Sequence, residues 1–210
     1  MLRVVVVDDH PVVREGLKRI ITESNELCVA AEAGDGEEAL NAVRTHPCDV
    51  VLLDITLPKR NGLEVLKQIR QEQPRLPVLI LSMHAEDEYA VRMLRAGASG
   101  YLNKESTPTN LVTAIRKVVR GGKYVSAALA ERLAFHLQTD LDRPPHEILS
   151  DREFQVLCML ASGGTVSEIA LDLKLSIKTV STYRVRVLEK LRLKNNSELT
   201  RYAIKTGLVA

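Results

Sequence analysis

"VVLLDITLPKRNG", residues 50–62, places four apolar residues, Val50 to Leu53, directly before a lone carboxylate, Asp54. The chain then breaks at Leu57-Pro58 and turns at Asn61-Gly62. A short apolar run bounded by turn residues fits a strand buried on both faces, as in a parallel sheet covered by helices. The acid at its end is the anomaly, because a buried carboxylate is costly unless its charge is compensated.

The same pattern recurs outward from this stretch. Runs rich in β-branched residues fall at 3–7, 28–33, 49–53, 78–81 and 99–102, and helical stretches at roughly 11–23, 36–45, 62–72, 86–96 and 107–120. Leu17, Ile20 and Ile21, and again Val65, Leu66 and Ile69, recur at helical spacing. Pro11, Gly34, Gly36, Gly97 and Thr107-Pro108 punctuate the boundaries. Strands alternating with helices predict an α/β domain over residues 1–120, a doubly wound five-stranded parallel sheet. Gly121-Gly122 ends the pattern. Residues 121–148 form a linker with a helix at 126–137 and an exposed stretch, 138–147, that holds Pro144-Pro145. Beyond it, residues 149–210 predict a small all-α domain with helices at 151–162, 166–173, 177–191 and 197–206. Ser150 and Glu153 have capping-box spacing at its first helix.

The totals agree with two small domains. The chain has 210 residues and is 45% hydrophobic, enough to build real cores. No apolar run approaches the roughly 18 residues of a membrane span. The start, Met1-Leu2-Arg3-Val4, enters a strand-like run with no signal-peptide pattern, so a soluble, cytoplasmic protein is expected. Cys28, Cys48 and Cys158 are scattered and read as small core residues of a reducing compartment. Residues 149–210 carry ten basic and six acidic side chains, whereas residues 1–120 carry 16 and 17. A basic C-terminal unit on a near-neutral remainder points to a polyanion partner.

Ligands of open parallel α/β sheets bind beyond the carboxyl ends of the strands. There the expected strands deliver Asp8 and Asp9, Asp54, Ser82, and finally Lys104. Carboxylates crowded in one cleft repel each other, and a hard divalent cation such as Mg²⁺ relieves that repulsion. Asp9 and Asp54 are the candidate direct ligands, with Asp8 acting through water. Lys104 is a point charge suited to a phosphoryl group, and Ser82 is a hydrogen-bond donor. Together they suit phosphoryl transfer onto Asp54 as nucleophile. Individually each has a plainer reading: Asp8-Asp9 as a helix N-cap pair, Asp54 as a turn former, Ser82 as a cap, and Lys104 as a surface lysine.

Asp8-Asp9, Asp54, Ser82 and Lys104, with Pro58 and Gly62 in the following loop, resemble the receiver domain of bacterial two-component response regulators, which has a flavodoxin-like fold. The resemblance implies that Asp54 accepts a phosphoryl group from a histidine kinase with Mg²⁺ present. It also implies that the Thr56 backbone carbonyl completes the metal site and that Tyr101 changes rotamer together with the Ser82 hydroxyl.

"TVSEIALDLKLSIKTVSTYRVRVLEKL", residues 165–191, has helix-turn-helix spacing, with a turn at 174–176 and Ser176 as N-cap of the second helix. At about 100° per residue, Val180, Val187, Leu188 and Leu191 share one face, with Tyr183 at its margin. Lys178, Ser181, Thr182 and Val185 fall on the opposite face, where a recognition helix meets the major groove. Thr182 and Val185 suit thymine methyls, Ser181 suits base edges or phosphate, and Lys178 suits phosphate. Arg184 and Arg186 are expected as backbone or flanking contacts, and Thr179 either as a phosphate contact or as a local helix-start bond. A helical dimerisation or docking module is the competing reading.

Residues 149–208 also resemble the LuxR-type DNA-binding domain, through Leu149-Ser150-Asp151-Arg152-Glu153, Glu168-Ile169-Ala170, Lys178-Thr179-Val180 and Glu198-Leu199. A receiver joined to this domain is the NarL/FixJ class. Membership implies a transcription regulator, not an enzyme, that is controlled by phosphorylation and binds double-stranded promoter DNA. It also implies a homodimer when phosphorylated, through the helix at 197–206, and RNA polymerase as a further partner. A Mg²⁺-dependent phosphohydrolase using Asp54 covalently is the rival. Such enzymes commonly carry a second carboxylate two residues on, where this chain has Thr56.

Overall fold

The structure, a computed structural model, describes every residue except Lys59, 83–87, 105–106, 139–144 and Ala210. The chain divides into two compact units, the first ending at Ala130 and the second running Glu131–Ala210. The first unit alternates β1 (Leu2–Val7), α1 (Pro11–Glu23), β2 (Leu27–Ala33), α2 (Gly36–Thr45), β3 (Val50–Asp54), α3 (Gly62–Glu72), β4 (Val78–Ser82), α4 (Glu88–Arg95), β5 (Gly100–Asn103) and α5 (Thr107–Val119). All strand pairs are parallel, in the order β2-β1-β3-β4-β5. Residues 86 and 87, expected at the start of α4, lie outside the described residues.

Helices on both faces explain why the central strands lack a polar side. Val4, Val6, Val50, Leu52, Leu79 and Leu81 pack with α1 and α5. Their neighbours Val5, Val7, Val51, Leu53 and Ile80, pointing the other way, are equally devoid of exposure. The helix starts are capped from their own loops. Asp35 accepts from the Glu37 and Glu38 amides at 2.8 and 2.9 Å, and Asn61 accepts from the Glu64 amide at 2.9 Å. The Asn61-Gly62 turn is therefore the N-cap and first residue of α3.

The first unit does not stop at residue 120. Tyr124 returns beside β5, accepting from the Tyr101 amide at 2.9 Å and donating to the Ser99 carbonyl at 3.1 Å. This single parallel bridge covers an edge that would otherwise present unpaired backbone groups. Gly100 makes it possible, since a Cβ there would lie 2.6 Å from the Tyr124 carbonyl oxygen. The following helix, α6 (Ala127–Gln138), begins within this unit, and its Leu129 is fully buried.

The second unit comprises a short 3-10 turn (Pro145–Ile148), α7 (Asp151–Ala161), α8 (Val166–Asp172), α9 (Ile177–Leu191) and α10 (Asn196–Lys205). α7 packs on α9 and α10, and α8 packs on α9. Lys174, at φ 52°, makes the left-handed turn between α8 and α9. One expectation changes here. Pro144 of the expected exposed linker lies outside the described residues and Pro145 is exposed, but His146 beside it is not. His146 is 3% exposed, and its Nδ1 lies 2.9 Å from the Tyr202 hydroxyl, with its ring 5.8 Å from that of Phe154. A polar residue between prolines and an acid carries no apolar period, so only the tertiary contact reveals it.

The capping box at Ser150 and Glu153 is formed, and Thr165 with Glu168 makes a second one at α8. Glu153 also takes a 2.6 Å ion pair from Lys190 on α9. Burial alone would raise the Glu153 pKa. The bonds from Lys190 and Ser150 outweigh it and hold the carboxyl below its ordinary 4.5. A depressed folded pKa means stability that is present above the unfolded value and lost as pH falls through the folded one. Glu153→Gln is therefore expected to cost about 1–2 kcal/mol at pH 7 and to flatten the loss below pH 4.5. Urea midpoints at pH 7 and below pH 4.5 check this.

Candidate functional site

Strand register assembles the site. Val7 pairs with Leu53, so the next residues, Asp8 and Asp54, emerge side by side. Asp54 pairs with Leu81 and Ser82 pairs with Asn103, which brings Ser82 and then Lys104 to the same edge. This edge includes the β1–β3 point where the strand order reverses, the place at which such sheets bind ligands.

Lys104 Nζ lies 2.7 Å from Asp8 Oδ2 and 2.8 Å from Asp54 Oδ2. Asp8 and Asp54 are 0% and 2% exposed. The potential ligand atoms of Asp8, Asp9, His10 and Asp54 all lie within 4.8 Å of one another. His10 is the member that sequence reasoning missed. Its Nδ1 is 2.7 Å from Asp9 Oδ1, and adjacency to the aspartate pair was the available signal. The N-cap reading of Asp8-Asp9 does not hold, because His10 is the N-cap of α1 with no side-chain cap bond, and Asp8 Oδ1 instead accepts from the His10 amide at 2.9 Å in a local turn. Thr56 donates its amide to Asp54 Oδ1 at 3.3 Å.

Burial pushes the Asp54 carboxyl up to about 6, the Lys104 charge opposes that rise, and Asp8 adds to it. Burial opposes the charged form of Lys104, yet Asp54 and Asp8 raise its pKa overall. Three carboxylates against one ammonium leave the cluster net negative when ionised. Carboxylate oxygens of that charge fit a hard divalent cation, with the exposed His10 ring at their margin. Ser82, 1% exposed, ends β4 beside it. Tyr101 on β5 is wholly buried, so its expected inward rotation is a repacking of an enclosed ring.

In the second unit, Val180, Val187 and Leu191 of α9 are buried, and Leu188 and Tyr183 are half-buried. Lys178, Thr182, Val185 and Arg186 are exposed, and Ser181 is half-buried. The other two candidates are engaged within the unit. The Thr179 hydroxyl is 2.7 Å from that of Ser176, and Arg184 Nε donates to Asn196 Oδ1 at 2.6 Å. No described helix of the chain is long and apolar enough to cross a membrane.

Two families match the chain: the response regulator receiver domain at residues 4–116 and the bacterial regulatory proteins of the luxR family at residues 147–203. Response regulator UvrY of Escherichia coli K12 is 37% identical over 209 residues, covering 99% of this chain and 96% of that protein. Response regulator GacA of Pseudomonas aeruginosa PAO1 is 38% identical over 210 residues, covering 100% and 98%. Among solved structures, RcsB from Salmonella enterica serovar Typhimurium, bound to promoter P1flhDC in the presence of phosphomimetic BeF3⁻, is similar with a TM-score of 0.60. It is 26% identical and covers 99% of each chain.

Proposed function

Because the chain belongs to the two-component response regulators that join a receiver domain to a luxR-type domain, we propose that it is a DNA-binding transcription regulator switched by phosphorylation of Asp54. The observation that carries this reading is Lys104 Nζ, held between Asp8 and Asp54 at the switch point of the sheet. The receiver role falls to the unit that ends at Ala130, beyond the residue 120 expected from sequence, and DNA binding falls to the helical unit that holds α7–α10.

Asp9 and Asp54, with Asp8 through water and the Thr56 carbonyl, would hold Mg²⁺. When bound, it supplies positive charge that lessens carboxylate repulsion and offsets charge on the phosphoryl oxygens. An Asp54 carboxylate oxygen attacks the phosphorus of a phosphohistidine on the kinase. The O–P bond forms as the N–P bond breaks, and the electron pair leaves on the imidazole nitrogen. Lys104 orients a phosphoryl oxygen with its ammonium, and the Ser82 hydroxyl donates to another. Ser82 moving toward the phosphate leaves room into which Tyr101 repacks, altering the face of α4, β5 and α5. That change favours a homodimer, whose α10 helices meet and whose two α9 helices read two half-sites.

On each α9, Thr182 and Val185 face thymine methyls and Lys178 and Arg186 face phosphates. Ser181 serves either, while Thr179 and Arg184 act from the margin. Promoter DNA, the histidine kinase and RNA polymerase are the partners, and the cytoplasm is the compartment. Thr56, standing where hydrolases of the rival class carry a second carboxylate, supports a lasting phosphoryl group rather than turnover.

Footprinting on duplex DNA tests the reading. Protection is expected to strengthen on incubation with acetyl phosphate and Mg²⁺, to return to baseline when EDTA is present throughout, and to weaken steeply with salt. Protection indifferent to both phosphodonor and salt overturns it, and sustained turnover of p-nitrophenyl phosphate revives the hydrolase.

A further inference from the structure

At the opposite, amino end of β4 and β5, the first unit holds a second pocket of about 390 Å³. Arg70 from α3, Arg75, Ser99 and Lys123 line it, and no Asp or Glu does. Gly97, at φ 105°, lets Arg70 lie against the backbone, since a Cβ there would be 3.1 Å from Arg70 Cδ. Arg70 Nη1 donates to the Pro74 carbonyl at 2.8 Å and Nη2 to Ser99 Oγ at 3.3 Å. Its Nε is buried with no acceptor. Lys123 Nζ donates to the Ala98 carbonyl at 2.6 Å.

Arg70 is half-buried, and a cation drawn partly out of water is ordinarily paired with an acid, while Arg75 and Lys123 stand exposed at the same pocket. Among the described residues Arg70, Arg75 and Lys123 have no carboxylate partner. Burial lowers the Arg70 pKa, and burial followed by the Arg70 charge lowers that of Lys123. Three positive charges at one pocket without a carboxylate favour negative charge brought from outside.

We infer that this pocket, separate from the Asp54 cluster, binds a small diffusible polyphosphate anion. A single carboxylate would leave most of the positive charge unmatched, whereas a diphosphate answers it. The guanidinium edge and the Ser99 hydroxyl offer the directional donors that phosphate oxygens accept. The volume falls in the range of small-ligand sites, roughly 300–1,000 Å³.

Isothermal titration of the full chain with sodium pyrophosphate tests this, in EDTA-containing buffer at fixed ionic strength. One equivalent is expected to bind, and sulfate and acetate are expected to bind more weakly. Arg70→Met and Lys123→Met should each weaken binding about tenfold, the scale of one charge-assisted hydrogen bond. Arg75→Ala, at an exposed position, should weaken it with the melting temperature unchanged, which separates loss of the site from loss of the fold. Asp54→Asn should leave the affinity as it was. Absence of binding, sulfate binding as tightly as pyrophosphate, insensitivity to all three cation variants, or loss in Asp54→Asn each overturns the inference.

Discussion

Asp54→Asn is expected to reduce incorporation of phosphate from acetyl phosphate or a phosphorylated kinase to background. The amide that replaces the carboxylate has no nucleophilic oxygen of comparable strength, so the loss is one of chemistry rather than of rate alone. The fold should survive the exchange. Asp54 lies in a buried cluster with Asp8, where burial already disfavours its charge. Removing that charge forgoes the Lys104 pair but lessens repulsion from Asp8, and Lys104 keeps Asp8 as its partner at 2.7 Å. Melting temperature therefore reports folding, and label labile to alkali and hydroxylamine, as an acyl phosphate is, reports transfer, on the same sample. Label persisting in Asp54→Asn, with the wild-type amount and lability, would move the acceptor elsewhere.

The second large effect is steric. A Cβ on Gly62 would stand 2.4 Å from the Asp54 carbonyl oxygen and 2.8 Å from Ile55 Cα, both backbone atoms without room to yield. Gly62→Ala is expected to cost about 3 kcal/mol. It should also slow labelling by displacing the Asp54 backbone. Gly16, inside α1, meets nothing within 4 Å, so Gly16→Ala should stabilise by about 0.5–1 kcal/mol through helix propensity. Urea unfolding of the two variants should thus give opposite signs for the same chemical change. Equal, small effects would show that the loop after β3 relaxes freely.

The parallel sheet was legible because burial on both faces leaves uninterrupted runs such as Val4–Val7 and Val50–Leu53. The pocket was legible because its carboxylates stand immediately after those runs, where strand polarity alone fixes their place. What escaped notice shares one cause. Tyr124 joins β5 through a single backbone bridge, and His146 finds Tyr202 some fifty residues later; neither leaves a period in the local sequence. The cationic pocket was hidden similarly, since Arg70 and Lys123 become neighbours only through the way α3 and the end of α5 are laid against the sheet.

The bridge at Tyr124 has a practical consequence for dissecting the molecule. A fragment trimmed at residue 120, where the alternating pattern fades, would strip the Tyr101 amide and Ser99 carbonyl of their mates and uncover a sticky strand margin. Such a fragment should self-associate on a sizing column, while one extended through Ala130 should elute as a well-behaved species.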